Sequence, residues 1–303
     1  MEMTSVVRVA DLVGLGASRA DVRRTTAGLQ RVAVGVYANT ALRSPEEVHL
    51  IRTRAQLGRL KDVVASHTSA AVLWELPVPR SRLSTVHVSP SAERLGKPKR
   101  GRGYHVHDLH VHEWEAVDID GMPATSPMRT VVDCARLLDR DFDWAVAAAD
   151  AALHRGLVMP SDLSRTAAGI HTLRGSARAR ALPSLCSALA ESPGETLLRL
   201  RLQRMGLEPV EQYTMAWVEG RPRVDFLVEG CLVIEFDGQG KYELDGKPAL
   251  AHWQEKLRND RIVEAGHGML HVTWEHLWDE GALSRRVHSA LRRARAGRLD
   301  AGP

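Results

Sequence analysis

Long apolar runs are missing from this 303-residue chain. No segment approaches the eighteen or more apolar residues that a membrane helix needs, and the opening MEMTSVVRVADLV has no basic stretch followed by an apolar one. A cytoplasmic protein with no membrane partner is expected. Cysteine is scarce as well. Cys134, Cys186 and Cys231 lie far apart in apolar or mixed surroundings, an odd number without metal-ligand spacing, and are expected to be reduced, buried and structural. The composition is not that of a disordered chain, because 44% of residues are hydrophobic and 26% charged. At this length two or three folded units are expected.

Arginine is what the chain has in excess. The formal net charge is only +4, but arginine far outnumbers lysine and is clustered. Phosphate binding follows local density of positive charge, since each neutralised phosphate releases counterions. A sequence pI near 9.1 is compatible with a nucleic-acid partner without requiring one.

The first stretch, VVRVADLVGLGASRADVRRTTAGLQRVAVGVYA, suggests a helix around Val9, Leu12 and Val13 that breaks at Gly14 and Gly16. Ser18 then offers an N-cap, with Asp21 three residues on as a short-armed capping-box partner. A second helix carrying Arg19, Arg23 and Arg24 ends near Gly28, and Leu29 to Tyr37, with Gly35 and Arg31, suits a short hairpin. Helix, glycine turn, arginine-bearing helix and hairpin is the order of a winged helix-turn-helix, in which the second helix enters the major groove. The competing reading is a small helical start with a solvated basic face.

The middle of the chain mixes helices and strands. Ser126 followed by Pro127 reads as N-cap and first helical residue, with Thr130, Val131, Cys134 and Leu137 on one face. In HVHDLHVH, strand alternation sets His105 and His107 on one face and His110 and His112 on the other. At best two pairs form, so exposed or hydrogen-bonded strand histidines are expected in preference to a structural zinc. Residues 93–103, ERLGKPKRGRG, fit equally a phosphate-tracking loop and a solvated hairpin tip. Ser192-Pro193-Gly194, after an arginine-rich stretch, marks the strongest interdomain boundary.

Beyond that boundary, ETLLRLRLQRMG reads as a helix ending at Gly206, and RPRVDFLVEG with CLVIEFDGQGKY as two strands joined at Glu229-Gly230. Asp225 lies on the first strand. Glu235 and Asp237, two apart, share a face at the end of the second. Three gathered carboxylates repel one another unless their pKa values rise or a hard divalent cation binds, and Mg²⁺ (or Mn²⁺) is the natural ion for oxygen ligands. Turn chemistry at Asp237-Gly238, and a macrodipole role for Glu195 at its helix start, are the plainer readings. The final segment, SRRVHSALRRARAGR, carries Arg285, Arg286, Arg292, Arg293, Arg295 and Arg298 and reads as a frayed, solvated terminus.

The phrases RVAVGVYA, ASHTSAAVLWELPVP, TVHVSP and GMPATSPMRTVVDCARLL resemble AbiEi-type antitoxins. SPGETLLRLRL, RPRVDFLV, LVIEFDGQGKY, EKLRNDRIVEAG and LHVTWEHL, over about residues 190–280, resemble a Vsr-like nuclease domain of the PD-(D/E)XK type. The resemblance implies Asp225 and Glu235 as metal ligands and Glu195 as an outer acidic member of the site. It places Asp237 where the pattern has lysine, leaving Lys241 or Lys256 to position or activate the attacking water. The expected fold is therefore an α+β multidomain: a winged helix-turn-helix (1–45), an AbiEi-like α+β domain (46–188) and a restriction-endonuclease-like α/β domain (189–303). The expected function is a Mg-dependent endonuclease acting on double-stranded DNA. The alternative is a non-catalytic repressor and antitoxin with a cognate toxin as its protein partner.

Overall fold

The computed structural model describes residues 6–40, 43–91, 99–170, 173–238 and 248–300. The chain is a mixture of helices and sheets in two compact units, Met1–Cys186 and Ser187–Pro303. No helix among the described residues is long and apolar enough to cross a membrane.

The first unit opens with β1 (Val6–Arg8), α1 (Val9–Gly14), α2 (Arg19–Thr25), β2 (Gln30–Ala33) and β3 (Val36–Ala38). The three strands form an antiparallel sheet in the order β1-β3-β2. The Ser18 hydroxyl accepts from the Asp21 amide while the Asp21 carboxylate accepts from the Ser18 amide, so the capping box starts α2 as its sequence implies. Gly35, at φ +71°, takes the left-handed conformation of the hairpin turn. The helix expected around Val9, Leu12 and Val13 is α1, and the short strand Val6–Arg8 before it forms because β3 offers that segment a ladder partner that its own sequence does not reveal. Helix α3 (Pro45–Leu57) starts at the Ser44–Glu47 capping box, and its Val48 closes a small core with Val32, Val36 and Ala38.

Next come β4 (Val63–Ala65), α4 (His67–Leu73), β5 (Val86–Pro90), β6 (Lys99–Gly101), β7 (Tyr104–Val106), β8 (Ala116–Ile119) and β9 (Met122–Thr125). Their strands make a six-stranded mixed sheet, β6-β7-β5-β4-β9-β8. Helices α5 (Pro127–Leu137), α6 (Phe142–His154), α7 (Pro160–Ala168) and α8 (Ser176–Leu185) complete the unit. Ser126 caps α5 and Pro127 is its first residue, as expected. Asp133, fully buried on α5, is held between Arg129 (2.9 Å) and Arg136 (3.0 Å). Of the basic stretch 93–103, residues 93–98 lie outside the described residues. Cys134 and Cys231 are buried, but Cys186, at the end of the unit, is only half-buried; none of the three is in a disulfide.

The second unit runs α9 (Pro193–Arg204), β10 (Val210–Thr214), β11 (Arg223–Val228), β12 (Leu232–Asp237), α10 (Pro248–Glu264), β13 (Gly268–Thr273), α11 (Trp274–Leu277) and α12 (Glu280–Asp300). Ser192-Pro193-Gly194 is the start of α9, with the Ser192 hydroxyl accepting from the Glu195 amide. The sheet order is β10-β11-β12-β13; the first three strands are antiparallel, and β13 returns parallel to β12 after α10. Glu229 (φ +48°) and Gly230 (φ +65°) form the expected hairpin between β11 and β12. Alternation along β12 divides its side chains. Leu232 and Phe236 face α12 and α9, as their neighbours Ala294 and Gly194 show, whereas Val233 joins Ile262 of α10 in a core. The last segment is not a frayed end. Leu283, Val287, Ala290, Leu291 and Ala294 form a buried stripe at helical spacing, and burial of that stripe holds α12 in place.

Candidate functional site

The second unit gathers several charged side chains, Glu235, Asp237, Arg258 and His271, on the sheet face covered by α10. Phe226 and Ile234 are the last pair of the β11–β12 ladder, so Asp225 leaves it at the level of Glu235, and the parallel ladder sets Glu235 against His271. On the other side of β11, Glu211 and Tyr213 pair with Phe226 and Val224 and bracket Gln212 opposite Asp225. Gln212, Asp225, Glu235 and His271 thus occupy one row across all four strands.

Each acid is held by specific partners. Asp225 accepts a hydrogen bond from the Phe236 amide (2.8 Å), which ties β11 to β12 at the end of their ladder. Glu235, 7% exposed, accepts two bonds from Arg258 of α10: Nη2 to Oε1 at 2.5 Å and Nη1 to Oε2 at 3.0 Å. This forked pair compensates a charge that the sheet buries. Burial works against the Arg258 charge, but the hydrogen bond and charge of Glu235, with Asp225 and Glu255 nearby, raise its pKa above the ordinary arginine value. Asp237 accepts from His271 Nδ1 at 2.9 Å. That bond raises the His271 pKa despite partial burial, and the Asp237 and Glu235 charges add to the effect. His271 Nε2 lies 3.4 Å from Asn259 Nδ2.

Carboxylate repulsion, expected from the sequence to call for a metal ion, is therefore relieved by a guanidinium and an imidazole. The chemistry of the donors would suit a hard cation, since Asp225 and Glu235 offer carboxylate oxygens from paired strands. Each Glu235 oxygen accepts one bond from Arg258, so a cation such as Mg²⁺ or Mn²⁺ would either share the carboxylate with that guanidinium or displace it.

The remaining expected residues lie outside the row. Glu195 is buried at the start of α9, where its carboxylate accepts from the Glu191 amide (2.9 Å), the Ser192 hydroxyl (2.7 Å) and Gln212 Nε2 (2.9 Å). It organises the helix start and touches the row through Gln212. Lys241 lies outside the described residues. Lys256 is exposed on α10, its ammonium 5.9 Å from the Trp253 ring centroid. Arg258 and His271 were not singled out by the sequence, yet both carried a signal. Arg258 lies four residues before buried Ile262, hence on the helix face that meets the sheet. His271 alternates with the buried Leu270 and Val272 and so faces the other way, with Glu235.

In the first unit Arg19, Arg23 and Arg24 on α2 and Arg31 on β2 are all exposed. Arg19 and Arg23, one helical turn apart, share a face. Arg24 is drawn to Asp21 (2.6 Å), and Arg31 donates through Nε to the Ala33 carbonyl (3.3 Å). Comparison with known protein families and with curated proteins gave no match to this chain.

Proposed function

We propose that the chain binds double-stranded DNA through its first unit and that its second unit carries an endonuclease-type, phosphodiester-hydrolysing site. One observation carries the second half of the reading: Asp225, Glu235 and the Asp237–His271 pair lie together on one sheet face, with Arg258 above them. Strand, helix, helix and hairpin with sheet order β1-β3-β2 is the arrangement expected of a winged helix-turn-helix, which supports the first half.

In this reading Asp225 and Glu235 hold Mg²⁺ or Mn²⁺, which when bound supplies an activated water and charge stabilisation at the leaving oxygen. Arg258, released from Glu235, presents a forked donor to a phosphate. His271, whose pKa the bond to Asp237 raises, can when protonated give a proton to the leaving oxygen and thus takes on work that the lysine expected at position 237 would otherwise share. A second reading, the non-catalytic repressor and antitoxin with a toxin partner, is favoured by the closed Arg258–Glu235 pair, which already satisfies the buried carboxylate without metal.

The test is incubation of the full chain with supercoiled plasmid in Mg²⁺, Mn²⁺ or EDTA, beside Glu235→Gln. Nicking that needs the metal and vanishes in Glu235→Gln, with DNA binding unchanged, is the expected result. DNA binding without nicking in either metal overturns the enzymatic half and leaves the repressor reading.

A further inference from the structure

The first unit holds a group of imidazoles that the proposed function does not use. Strands β5 and β7 are parallel neighbours, and their register sets His87 directly beside His105. His107 comes just beyond β7, its amide donating to the Val88 carbonyl (2.8 Å), so strand alternation continues and His107 lies on the same face as His105. The pair expected from HVHDLHVH thus gains a third member from another strand. His87 Nδ1 lies 2.9 Å from His107 Nε2, and one ring nitrogen of each of His87, His105 and His107 falls within 4.8 Å of the other two. A fourth ring, His67, stacks on His107 with centroids 3.6 Å apart and planes at 11°. Its Nδ1 is 2.9 Å from the Ser66 hydroxyl, so it walls one side of the cluster rather than joining the donor set.

We propose that His87, His105 and His107 form a binding site for one divalent transition-metal ion of the zinc class, with a fourth position left to water or an exogenous ligand. Three imidazoles without thiolate or multiple carboxylates select zinc, nickel or copper over magnesium or calcium. The spacing suits such an ion. Ligand nitrogens in a tetrahedral zinc site lie about 3.3 Å apart, so the His87–His107 contact has only to open slightly, by a few tenths of an ångström. His87 is buried and fixed by the strand ladder, while His105 is partly exposed and gives the ion a way in. A bound ion would replace the single proton that the two facing nitrogens can share, and would clamp β5 to β7.

The experiment uses the full chain, stripped with EDTA and dialysed, then titrated with ZnCl₂ by calorimetry and by thermal scanning. Co²⁺ provides an optical readout, because a tetrahedral three-imidazole site gives it visible absorption. The expected result is saturable binding, a Tm that rises with Zn²⁺ concentration, and a visible Co²⁺ band. Since His105 is partly exposed, His105→Gln should fold normally by circular dichroism. It should weaken Zn²⁺ binding about tenfold or more and abolish the Co²⁺ band, whereas His112→Gln and Glu235→Gln keep both. No saturable binding to the wild type overturns the proposal. So does binding that survives His105→Gln and is lost in Glu235→Gln, which would place the ion on the acids of the second unit.

Discussion

Asp237 and His271 form a half-exposed pair, 33% and 34% by side chain, and the sign of its pH dependence follows from the direction of the His271 shift. The folded-state pKa lies above that of an unfolded histidine. The stabilisation is then fully present below the unfolded value of about 6.5 and is lost as pH rises through the folded value. Asp237→Asn should therefore lower stability more at about pH 6 than at about pH 9, as read by urea unfolding at each pH. An equal loss at both would show that the imidazole carries no charge beside Asp237. The effect will be modest and will shrink with salt, because solvent screens a pair this exposed.

Among the elements, α2 and α9 each depend on one local contest. Arg23 is exposed and has no acid one turn before it, whereas Arg24 is already paired with Asp21. If α2 tracks DNA phosphates, Arg23→Ala should flatten the log–log salt dependence of binding by about one, and Arg24→Ala by less. Slopes unchanged in both variants would remove α2 from the interface. In the first turn of α9, alanine in place of Gly194 would ordinarily favour the helix by about 1 kcal/mol. Here its Cβ would overlap Cε1 of the Phe236 ring, which is itself buried and edge-on to Trp274 at 5.1 Å. Overpacking of that kind costs about 1–3 kcal/mol, so Gly194→Ala is expected to lower the urea midpoint. A raised midpoint would mean that helix propensity outweighs the contact.

At the scale of the whole molecule, the chain divides after Cys186, and the segment before α3 belongs to the same unit as α3. Val48 of α3, with Ile51 and Ala55 packed alongside, closes the core formed by Val32, Val36 and Ala38. A piece of about 45 residues without that helix is too small to bury a core of its own. Fragments 1–186 and 187–303 should each unfold cooperatively in urea, and fragment 1–45 should not; a non-cooperative 187–303 would contradict the division. The fragment 187–303 contains Asp225, Glu235, Arg258 and His271, so any plasmid nicking should persist in it at reduced DNA affinity.

What the sequence determined by itself is the part governed by neighbours within a few residues. The Ser18–Asp21 box, the Ser126-Pro127 helix start, the Glu229-Gly230 hairpin and the parity that puts Glu235 and Asp237 on one face all follow from local backbone geometry and short side-chain reach. The buried stripe of α12 was also present in the sequence, but its arginines masked it. Tertiary structure alone decided what meets the acids. Arg258 reaches Glu235 across 23 residues and His271 reaches Asp237 across 34, both through the α10 crossover to β13. His87 meets His107 across 20 residues through the pairing of β5 with β7. Such partners are chosen by strand order and by which helix covers which face, and these depend on burying the whole core at once rather than on any short stretch of chain.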